Sequence, residues 1–153
     1  MRIIEIPGGD PIRVEHLVLD LNGTLSDRGV LLPGVAERIG LLAMDLHIHL
    51  VTADTFGSAA ELAKGLALSV TVIRSGEEKA AFVRALNADA TAVIGNGRND
   101  EAMLSIARLG IAVIGPEGAA AGALRAADIV CRSVTDALDL LLDERLLIAT
   151  LRP

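Results

Sequence analysis

The stretch HLVLDLNGTL, residues 16–25, decides the fold and indicates the chemistry of this chain. Three apolar side chains in a row precede Asp20, which predicts a strand that is buried on both faces and ends in a carboxylate. The following Asn22-Gly23-Thr24 ends the strand, because glycine allows backbone turns that other residues resist. Similar apolar runs recur along the chain and alternate with helical patterns.

This alternation predicts an α/β fold in three layers, in which a mainly parallel sheet has helices on both faces, as in Rossmann-like proteins. Strands are predicted at residues 16–20, 47–52, 70–73, 91–95, 111–114 and 129–131. Helices are predicted at residues 34–45, 56–68, 77–86, 100–108, 118–126 and 133–142. Residues 2–6 and 12–14 are predicted to form an N-terminal hairpin around a glycine- and proline-containing turn.

The length of 153 residues suits one domain with one core. We predict a single domain over residues 1–153, with an N-terminal hairpin extension at 1–15 and a C-terminal tail at 143–153. Apolar residues make up 52% of the chain and aromatic residues only 1%, so the core must be built from aliphatic side chains.

Composition also disfavours several classes of partner. The net charge of -6 and the lack of a basic block argue against nucleic acid. No apolar run of membrane-spanning length lacks a charge, and the N-terminus is too short and too soon interrupted for a signal peptide. The single cysteine, Cys131, cannot form an internal disulfide, which fits a cytoplasmic protein.

Polar groups stand at the ends of three predicted strands: Asp20, Thr52 and the stretch GNGRND at residues 95–100. Lys79 lies near the start of the helix before that stretch. Ligands of parallel sheets bind beyond the carboxyl ends of the strands, so we expect these groups to meet in one crevice.

A carboxylate, an ammonium and a second carboxylate in one crevice are suited to phosphoryl transfer. The Asp20 carboxylate can attack phosphorus and form an acyl phosphate, provided that charge repulsion is neutralised. Mg²⁺ supplies that neutralisation, and Lys79 and Thr52 would hold the phosphoryl oxygens. We predict Asp20, Thr52 and Lys79 as catalytic residues. The predicted phosphate-binding residues are Asn22, Gly23, Thr24, Thr52, Ala53 and Lys79. The predicted metal ligands are Asp20, Asn22 through its carbonyl, Asn96 and Asp100.

These residues resemble the four motifs of the haloacid dehalogenase (HAD) superfamily. The motifs are a strand followed by D-x-D-G-T, a strand ending in Thr or Ser, a Lys at a helix start, and G-D-x-x-x-D. Here they read LVLDLNGTL (17–25), Thr52, Lys79 and GNGRND (95–100). The stretches GNGRNDEAML and LGIAVIGPEGAAAGALRAADIV also look like P-type ATPase phosphorylation domains, and the small stand-alone relatives of those domains. The resemblance covers about residues 14–142 and implies a HAD fold, an aspartyl phosphate on Asp20 and dependence on Mg²⁺.

Two positions depart from the motifs. Phosphatases of this superfamily carry an Asp two residues after the nucleophile, which protonates the leaving group and activates water, whereas this chain has Asn22. General acid–base catalysis contributes about 10²–10⁴-fold, so we expect slow turnover. The other departure, Asn96 in place of Asp, removes one negative charge near the metal.

The spacing of the motifs leaves no room for a cap domain. Residues 21–51 suffice for a short flap and one helix, and residues 53–78 suffice for a helix and a strand. A capless member acts on a macromolecule or closes its site with a neighbouring subunit. We expect a small phosphorylated substrate and a homo-oligomer, such as a tetramer.

Other residues and functions stay open at this stage. Lys64 is a rival to Lys79 but falls in the middle of another helix, and Arg98 is either solvated or in contact with substrate. Asp54 could replace the missing acid, although a helix cap is the simpler reading. We interpret His47 and His49 as core or interface histidines in preference to a metal pair.

The alternative to a magnesium-dependent phosphohydrolase is a catalytically impaired phosphoacceptor or metal-binding module. A two-component receiver domain also gathers Asp, Thr and Lys at strand ends. Receivers, however, carry an acidic pair on the first strand, which HLVLD followed by NGT does not match.

Overall fold

The structure is a computed structural model that describes residues 1–53 and 57–153. Its strands are, in chain order, β1 (Arg2–Ile4), β2 (Ile12–Val14), β3 (His16–Asp20), β4 (Ser26–Asp27), β5 (Val30–Leu31), β6 (His47–Thr52), β7 (Ser69–Val72), β8 (Thr91–Gly95), β9 (Leu109–Val113) and β10 (Ile129–Cys131). Its α-helices are α1 (Val35–Leu42), α2 (Ser58–Leu62), α3 (Gly76–Leu86), α4 (Glu101–Ile106), α5 (Ala121–Ala126), α6 (Val134–Leu142) and α7 (Glu144–Leu151).

Six of the described strands form a central parallel sheet with the order β10-β9-β8-β3-β6-β7. This confirms the predicted Rossmann-like α/β fold with its mainly parallel sheet. In β3, Leu17 and Leu19 face one core and Val18 faces the other, because successive side chains of a strand point to opposite faces. The strand is therefore buried on both sides, as its unbroken apolar sequence requires.

Helices cover each face of the sheet. The larger core lies on one face and includes buried residues of α1, α2, α6 and α7, such as Ile39 and Leu138. The smaller core lies on the other face and includes Val83 of α3, Met103 of α4 and Ala123 of α5. The small side chain of Ala123 lets the short helix α5 approach the sheet closely.

The register of the sheet places the polar strand ends side by side. Asp20 pairs with Val51, so that Thr52 lies one residue further along the neighbouring strand. On the other side Leu19 pairs with Ile94, which brings Gly95 beside Asp20. The carboxyl ends of β3, β6 and β8 consequently meet at one edge.

Small appendages surround this core. The N-terminal hairpin pairs β1 with β2, as predicted. The short flap expected after Asp20 is a hairpin of β4 and β5. The segment 143–153 was predicted as a tail without a helix or strand. It forms the helix α7, which buries Leu147. No helix of the described residues is long and apolar enough to span a membrane.

The differences from the predicted boundaries have local causes. The helix predicted at 56–68 is the shorter α2; Gly65, with a φ of 82°, lies in the turn after it, and Phe56 lies outside the described residues. The helix predicted at 118–126 begins at Ala121, because Gly115 and Gly118 bond to each other in a tight turn before it. The helix predicted at 100–108 is preceded by a 3-10 turn over Arg98–Asp100.

Candidate active site

The Asp20 carboxylate lies at the carboxyl end of β3 and is only 6% exposed. The ammonium of Lys79 donates to its Oδ1 over 2.7 Å, and the hydroxyl of Thr24 donates to its Oδ2 over 3.0 Å. Both oxygens of the predicted nucleophile are thus held in a fixed orientation by side chains from two other segments.

Lys79 reaches Asp20 from the first turn of α3. Ser75 caps this helix by accepting a hydrogen bond from the amide of Glu78. A side chain on Gly76 would lie 2.8 Å from the carbonyl oxygen of Asn99, so only glycine lets the helix approach that loop. The close approach brings the ammonium of Lys79, 1% exposed, between Asp20 and Asp100.

Asp100 is fully buried, and both of its carboxylate oxygens are engaged. Its Oδ1 accepts from Lys79 over 2.8 Å, and its Oδ2 accepts from the backbone amides of Asn96 and Gly97. A Cβ at Gly95 would lie 2.6 Å from this carboxylate. Glycine at the end of β8 therefore makes room for the group that anchors both the loop and Lys79.

Asn96 connects three segments. Its Oδ1 accepts from the hydroxyl of Thr24 over 3.1 Å, and its Nδ2 donates to the carbonyl of Gly118 over 3.1 Å. Its own carbonyl accepts from the amide of Ala120. Because a carbonyl oxygen can only accept, the amide group of Asn96 must face Gly118, which fixes the orientation of the side chain.

The buried charges change each other's protonation. Burial and the charge of Asp100 raise the pKa of Asp20 to about 6, although Lys79 and Thr24 lower it. Burial alone would lower the pKa of Lys79, but Asp20 and Asp100 together raise it above its usual value. With Lys79 protonated and both carboxylates ionised, the buried triad carries a net charge of minus one.

The remaining predicted residues lie around this triad. Thr52 is 1% exposed at the end of β6, and Ala53 after it is exposed. Asn22 is exposed, and Gly23 has a φ of 74°, which favours glycine. The hydroxyl of Thr24, predicted to bind phosphate, contacts the Asp20 and Asn96 side chains.

These oxygens fit a cation. The single hydroxyl proton of Thr24 faces Asp20 Oδ2 and Asn96 Oδ1, so it satisfies one of these two acceptors at a time. These two oxygens share one proton and lie beside a triad of net negative charge. They are oxygen ligands of the kind that Mg²⁺ prefers. Within residues 1–53 and 57–153, no three His, Cys, Asp or Glu side chains form a metal-binding group. The candidate ligands accordingly include a side-chain amide.

One carboxylate at this site was missed by sequence reasoning. A Cβ at Gly23 would lie 2.6 Å from Oε2 of Glu117, in the turn of Gly115–Gly118. The same Cβ would lie 2.9 Å from Nδ2 of Asn96. The sequence predicted a helix from residue 118 and no role for Glu117, and the only sequence signal for this contact is a glycine far away in the chain.

Two minor candidates do not join the site contacts. Arg98 and Lys64 are exposed, and neither side chain makes a hydrogen bond or ion pair with the described residues. Asp54, considered as a replacement acid, lies outside the described residues.

The histidines form a cluster at the opposite edge of the sheet, at the starts of β3 and β6. Nδ1 of His16 lies 3.1 Å from Nε2 of His49, and Nδ1 of His49 lies 3.0 Å from the hydroxyl of Ser69. The rings of His16 and His47 are 5.4 Å apart. Burial lowers the pKa of both His16 and His49, which favours neutral rings that bond to each other.

Comparison with known proteins gives one related sequence and many related folds. No protein-family model matches the chain. The uncharacterized protein MJ0073 of Methanocaldococcus jannaschii is 56% identical over 59 residues, which are 39% of this chain and 63% of that protein. The match therefore spans less than two thirds of that relative.

Similar solved structures cover most of this chain. A putative HAD superfamily (subfamily III A) hydrolase from Legionella pneumophila has a TM-score of 0.68 and 19% identity, over 90% of this chain and 88% of that one. The 3-deoxy-D-manno-octulosonate 8-phosphate phosphatase of Moraxella catarrhalis, solved with magnesium, phosphate and KDO, has a TM-score of 0.64 and 18% identity, over 91% and 94%. The catalytic domain of the CPx-ATPase CopB-B has a TM-score of 0.64 and 25% identity, over 74% and 46%.

Proposed function

Because the chain has the fold of the haloacid dehalogenase superfamily, we propose that it is a magnesium-dependent phosphohydrolase that forms an aspartyl phosphate on Asp20. The observation that carries this proposal is the buried triad, in which the ammonium of Lys79 bonds to both Asp20 and Asp100 at the carboxyl edge of the sheet. A structural ion pair needs only one carboxylate. The second one leaves a net negative charge, which suits a site that binds a cation.

The first chemical step is attack by a carboxylate oxygen of Asp20 on phosphorus. A P–O bond forms to Asp20, the bond from phosphorus to the leaving oxygen breaks, and the leaving group departs with the bonding electrons. With a pKa of about 6, Asp20 is mostly ionised at neutral pH and able to attack. Lys79 would stabilise the negative charge on the phosphoryl oxygens, and Thr52, at the neighbouring strand end, would donate a hydrogen bond to one of them.

The second step returns the enzyme to its starting state. Water attacks phosphorus, the bond to Asp20 breaks, and phosphate leaves while one proton passes to solvent. Asn22 cannot accept that proton or protonate a leaving group, so solvent must do both. Esters of poor leaving groups should react slowly, and acyl phosphates or polyphosphates should suffer least.

Mg²⁺, when bound, would neutralise the charge of the phosphoryl group and so permit the approach of an anionic nucleophile. We assign its ligands to Asp20, the carbonyl of Asn22 and the side-chain oxygen of Asn96. Asp100 was predicted as a ligand as well. Since its oxygens bond to Lys79 and two amides, we assign it to anchoring these groups instead. The Moraxella catarrhalis phosphatase with its bound magnesium supports the choice of ion.

The site lies beside the β4–β5 hairpin, and no cap domain covers it among the described residues. We propose a small phosphorylated substrate, in line with the Moraxella catarrhalis phosphatase, whose substrate is a sugar-acid phosphate. In a homo-oligomer, such as a tetramer, a neighbouring subunit would cover the site. The cytoplasm is the compartment that the single cysteine favours.

Turnover of an aryl phosphate with Mg²⁺ tests the proposal across three forms of the protein. We expect slow hydrolysis by the wild type, none by Asp20→Asn, and a gain of about 10²-fold or more in Asn22→Asp, because general acid–base catalysis has that magnitude. Hydroxylamine should release trapped phosphate from the wild type only if a covalent acyl phosphate forms. Hydrolysis that survives in Asp20→Asn would rule out this nucleophile.

Asn22 also supports a second function, that of a phosphoacceptor that turns over rarely. Without an acid or base at this position, an acyl phosphate on Asp20 would be long-lived. A stoichiometric acyl phosphate that forms in the wild type from a reactive donor such as acetyl phosphate, with no multiple turnover even in Asn22→Asp, would favour this function over hydrolysis.

A further inference from the structure

Glu117 brings a carboxylate to the loop that follows the nucleophile. Its Oε2 would lie 2.6 Å from a side-chain carbon on Gly23, and the Asn96 amide would lie 2.9 Å from the same carbon. The carboxylate of Glu117 and the amide nitrogen of Asn96 thus both border the space that a side chain on Gly23 would fill. Among the described residues, Glu117 makes no hydrogen bond or ion pair, and its charge is therefore uncompensated.

The turn that carries Glu117 is fixed to the site at several points. Gly115 and Gly118 bond to each other in both directions, which closes the turn. The Asn96 side chain donates to the carbonyl of Gly118 over 3.1 Å. A side chain on Gly115 would collide with the carbonyl of Gly23, so the two loops touch through their backbones. The position of Glu117 follows from these contacts and does not depend on an unanchored loop.

The charges of the site explain what Glu117 can do there. Asp20, Asp100 and Lys79 sum to minus one, while a divalent cation carries two positive charges. The position at which the superfamily motif has an Asp is here the neutral Asn96, so one negative charge is missing. Glu117 restores the net charge to minus two.

We propose that Glu117 supplies the second negative charge for the divalent cation bound at Asp20 and Asn96. This inference rests on the proposed function and adds a residue to its metal site. An exposed carboxylate acts on such a cation through a short, partly solvated path, so its effect is moderate and weakens with salt. Gly23 serves this arrangement in two ways. Its φ of 74° disfavours other residues, and a side chain at this position would collide with Glu117 and Asn96.

Glu117→Gln removes the charge and keeps the shape, which makes it the appropriate variant. The control is Glu37→Gln on α1, an exposed residue beside the Arg38–Asp139 ion pair, which makes the same change in net charge away from the site. Titration calorimetry with MgCl₂ at low ionic strength measures binding without any substrate. We expect the dissociation constant for Mg²⁺ to rise about three- to tenfold in Glu117→Gln and to stay within about twofold in Glu37→Gln.

Steady-state kinetics give the second readout. The Mg²⁺ concentration for half-maximal activity should rise in Glu117→Gln, while kcat at saturating Mg²⁺ and the KM for substrate stay close to those of the wild type. Thermal unfolding without Mg²⁺ should be unchanged, which shows that the fold is intact.

The outcomes separate the two proposals. If the wild type binds Mg²⁺ and Glu117→Gln binds it equally well, the role of Glu117 is overturned and the phosphohydrolase proposal stands. If kcat at saturating Mg²⁺ falls while Mg²⁺ affinity is unchanged, Glu117 acts in proton transfer and the metal role is again overturned. A wild type that binds no Mg²⁺ overturns both proposals.

Discussion

The substitution Asp20→Asn should stabilise the metal-free protein at neutral pH, although it removes the proposed nucleophile. It replaces one of two carboxylates that share a single ammonium by an amide of the same shape. The amide oxygen can still accept from Lys79, and the amide nitrogen can donate to the hydroxyl of Thr24. The pair of Lys79 and Asp100 then remains as a neutral ion pair.

The magnitude follows from the pKa of Asp20, which rises from 3.8 to about 6 on folding. A folded-state pKa above the unfolded one means that stability is full below the unfolded pKa and is lost as pH rises through the folded pKa. A difference of about two units corresponds to about 3 kcal/mol. Below pH 3.8 the carboxyl group is mostly protonated in both states, so most of this cost is absent.

Urea denaturation in the presence of a chelator measures the effect at pH 4 and at pH 7.5. We expect Asp20→Asn to be more stable than the wild type by about 2–3 kcal/mol at pH 7.5 and nearly equal at pH 4. Saturating Mg²⁺ should reduce or reverse the difference, because it stabilises the form that binds it, by about 2.7 kcal/mol at one hundred times the dissociation constant.

A variant that is less stable than the wild type at pH 7.5, or a difference that is the same at both pH values, would refute this reasoning. The first result would mean that the ion pair of Asp20 with Lys79 outweighs the burial of its charge. The second would mean that the substitution acts through packing rather than through titration.

Two further predictions concern the groups around Asp20. Lys79→Met should destabilise the protein by about 3–5 kcal/mol at pH 7.5 in urea denaturation, since two buried carboxylates then lack their cation, and acidic pH should recover part of the loss. A loss of less than 1 kcal/mol at pH 7.5 would contradict the buried triad. Asn96→Asp should cost about 1–3 kcal/mol without Mg²⁺, because an acceptor then faces the carbonyl of Gly118, and the loss should shrink when Mg²⁺ is added. An equal loss with and without Mg²⁺ would separate position 96 from the metal.

The sequence predicts best the elements whose pattern is set by burial on both faces. The bounds of β3, β6, β8 and β10 agree with those predicted, because these strands end where a polar residue or glycine follows the apolar run. The start of β9 was placed two residues late, at 111, because Leu109 and Gly110 did not look like part of an apolar run, yet both are buried.

Helix starts were harder to predict, for a physical reason. The chain turns before α4 and α5 in conformations that depend on contacts with other segments. The 3-10 turn at Arg98–Asp100 is held by bonds from backbone amides to the Asp100 carboxylate, and the turn at Gly115–Gly118 is held by Asn96. The bond from Asn96 to Gly118 is tertiary, and the bonds to Asp100 are local bonds between a side chain and the backbone. A hydrophobic period carries no trace of either kind.

The same limit applies to the site. The motif pattern was enough to select Asp20, Lys79 and Asp100, and the structure brings these three together. Only the structure shows that backbone amides anchor Asp100 and that Glu117 lies against Gly23. A glycine in a sequence does not indicate which residue lies against it, and here four glycines, at positions 23, 76, 95 and 115, mark close approaches at the site.

The amide at position 96 and the carboxylate at position 117 are linked in the structure. An ionised Asp at 96 would have no proton for the carbonyl of Gly118, so one of the contacts that hold the turn carrying Glu117 would be lost. Asn96 holds it, and the negative charge that Asn96 lacks returns on the turn itself. The hydrogen bond from Asn96 to Gly118 therefore joins the neutral side chain beside the nucleophile to the turn whose carboxylate we propose as the source of the second charge. Position 22 has no such counterpart among the described residues, which is why we assign slow proton transfer, rather than weak metal binding, as the main consequence of this sequence.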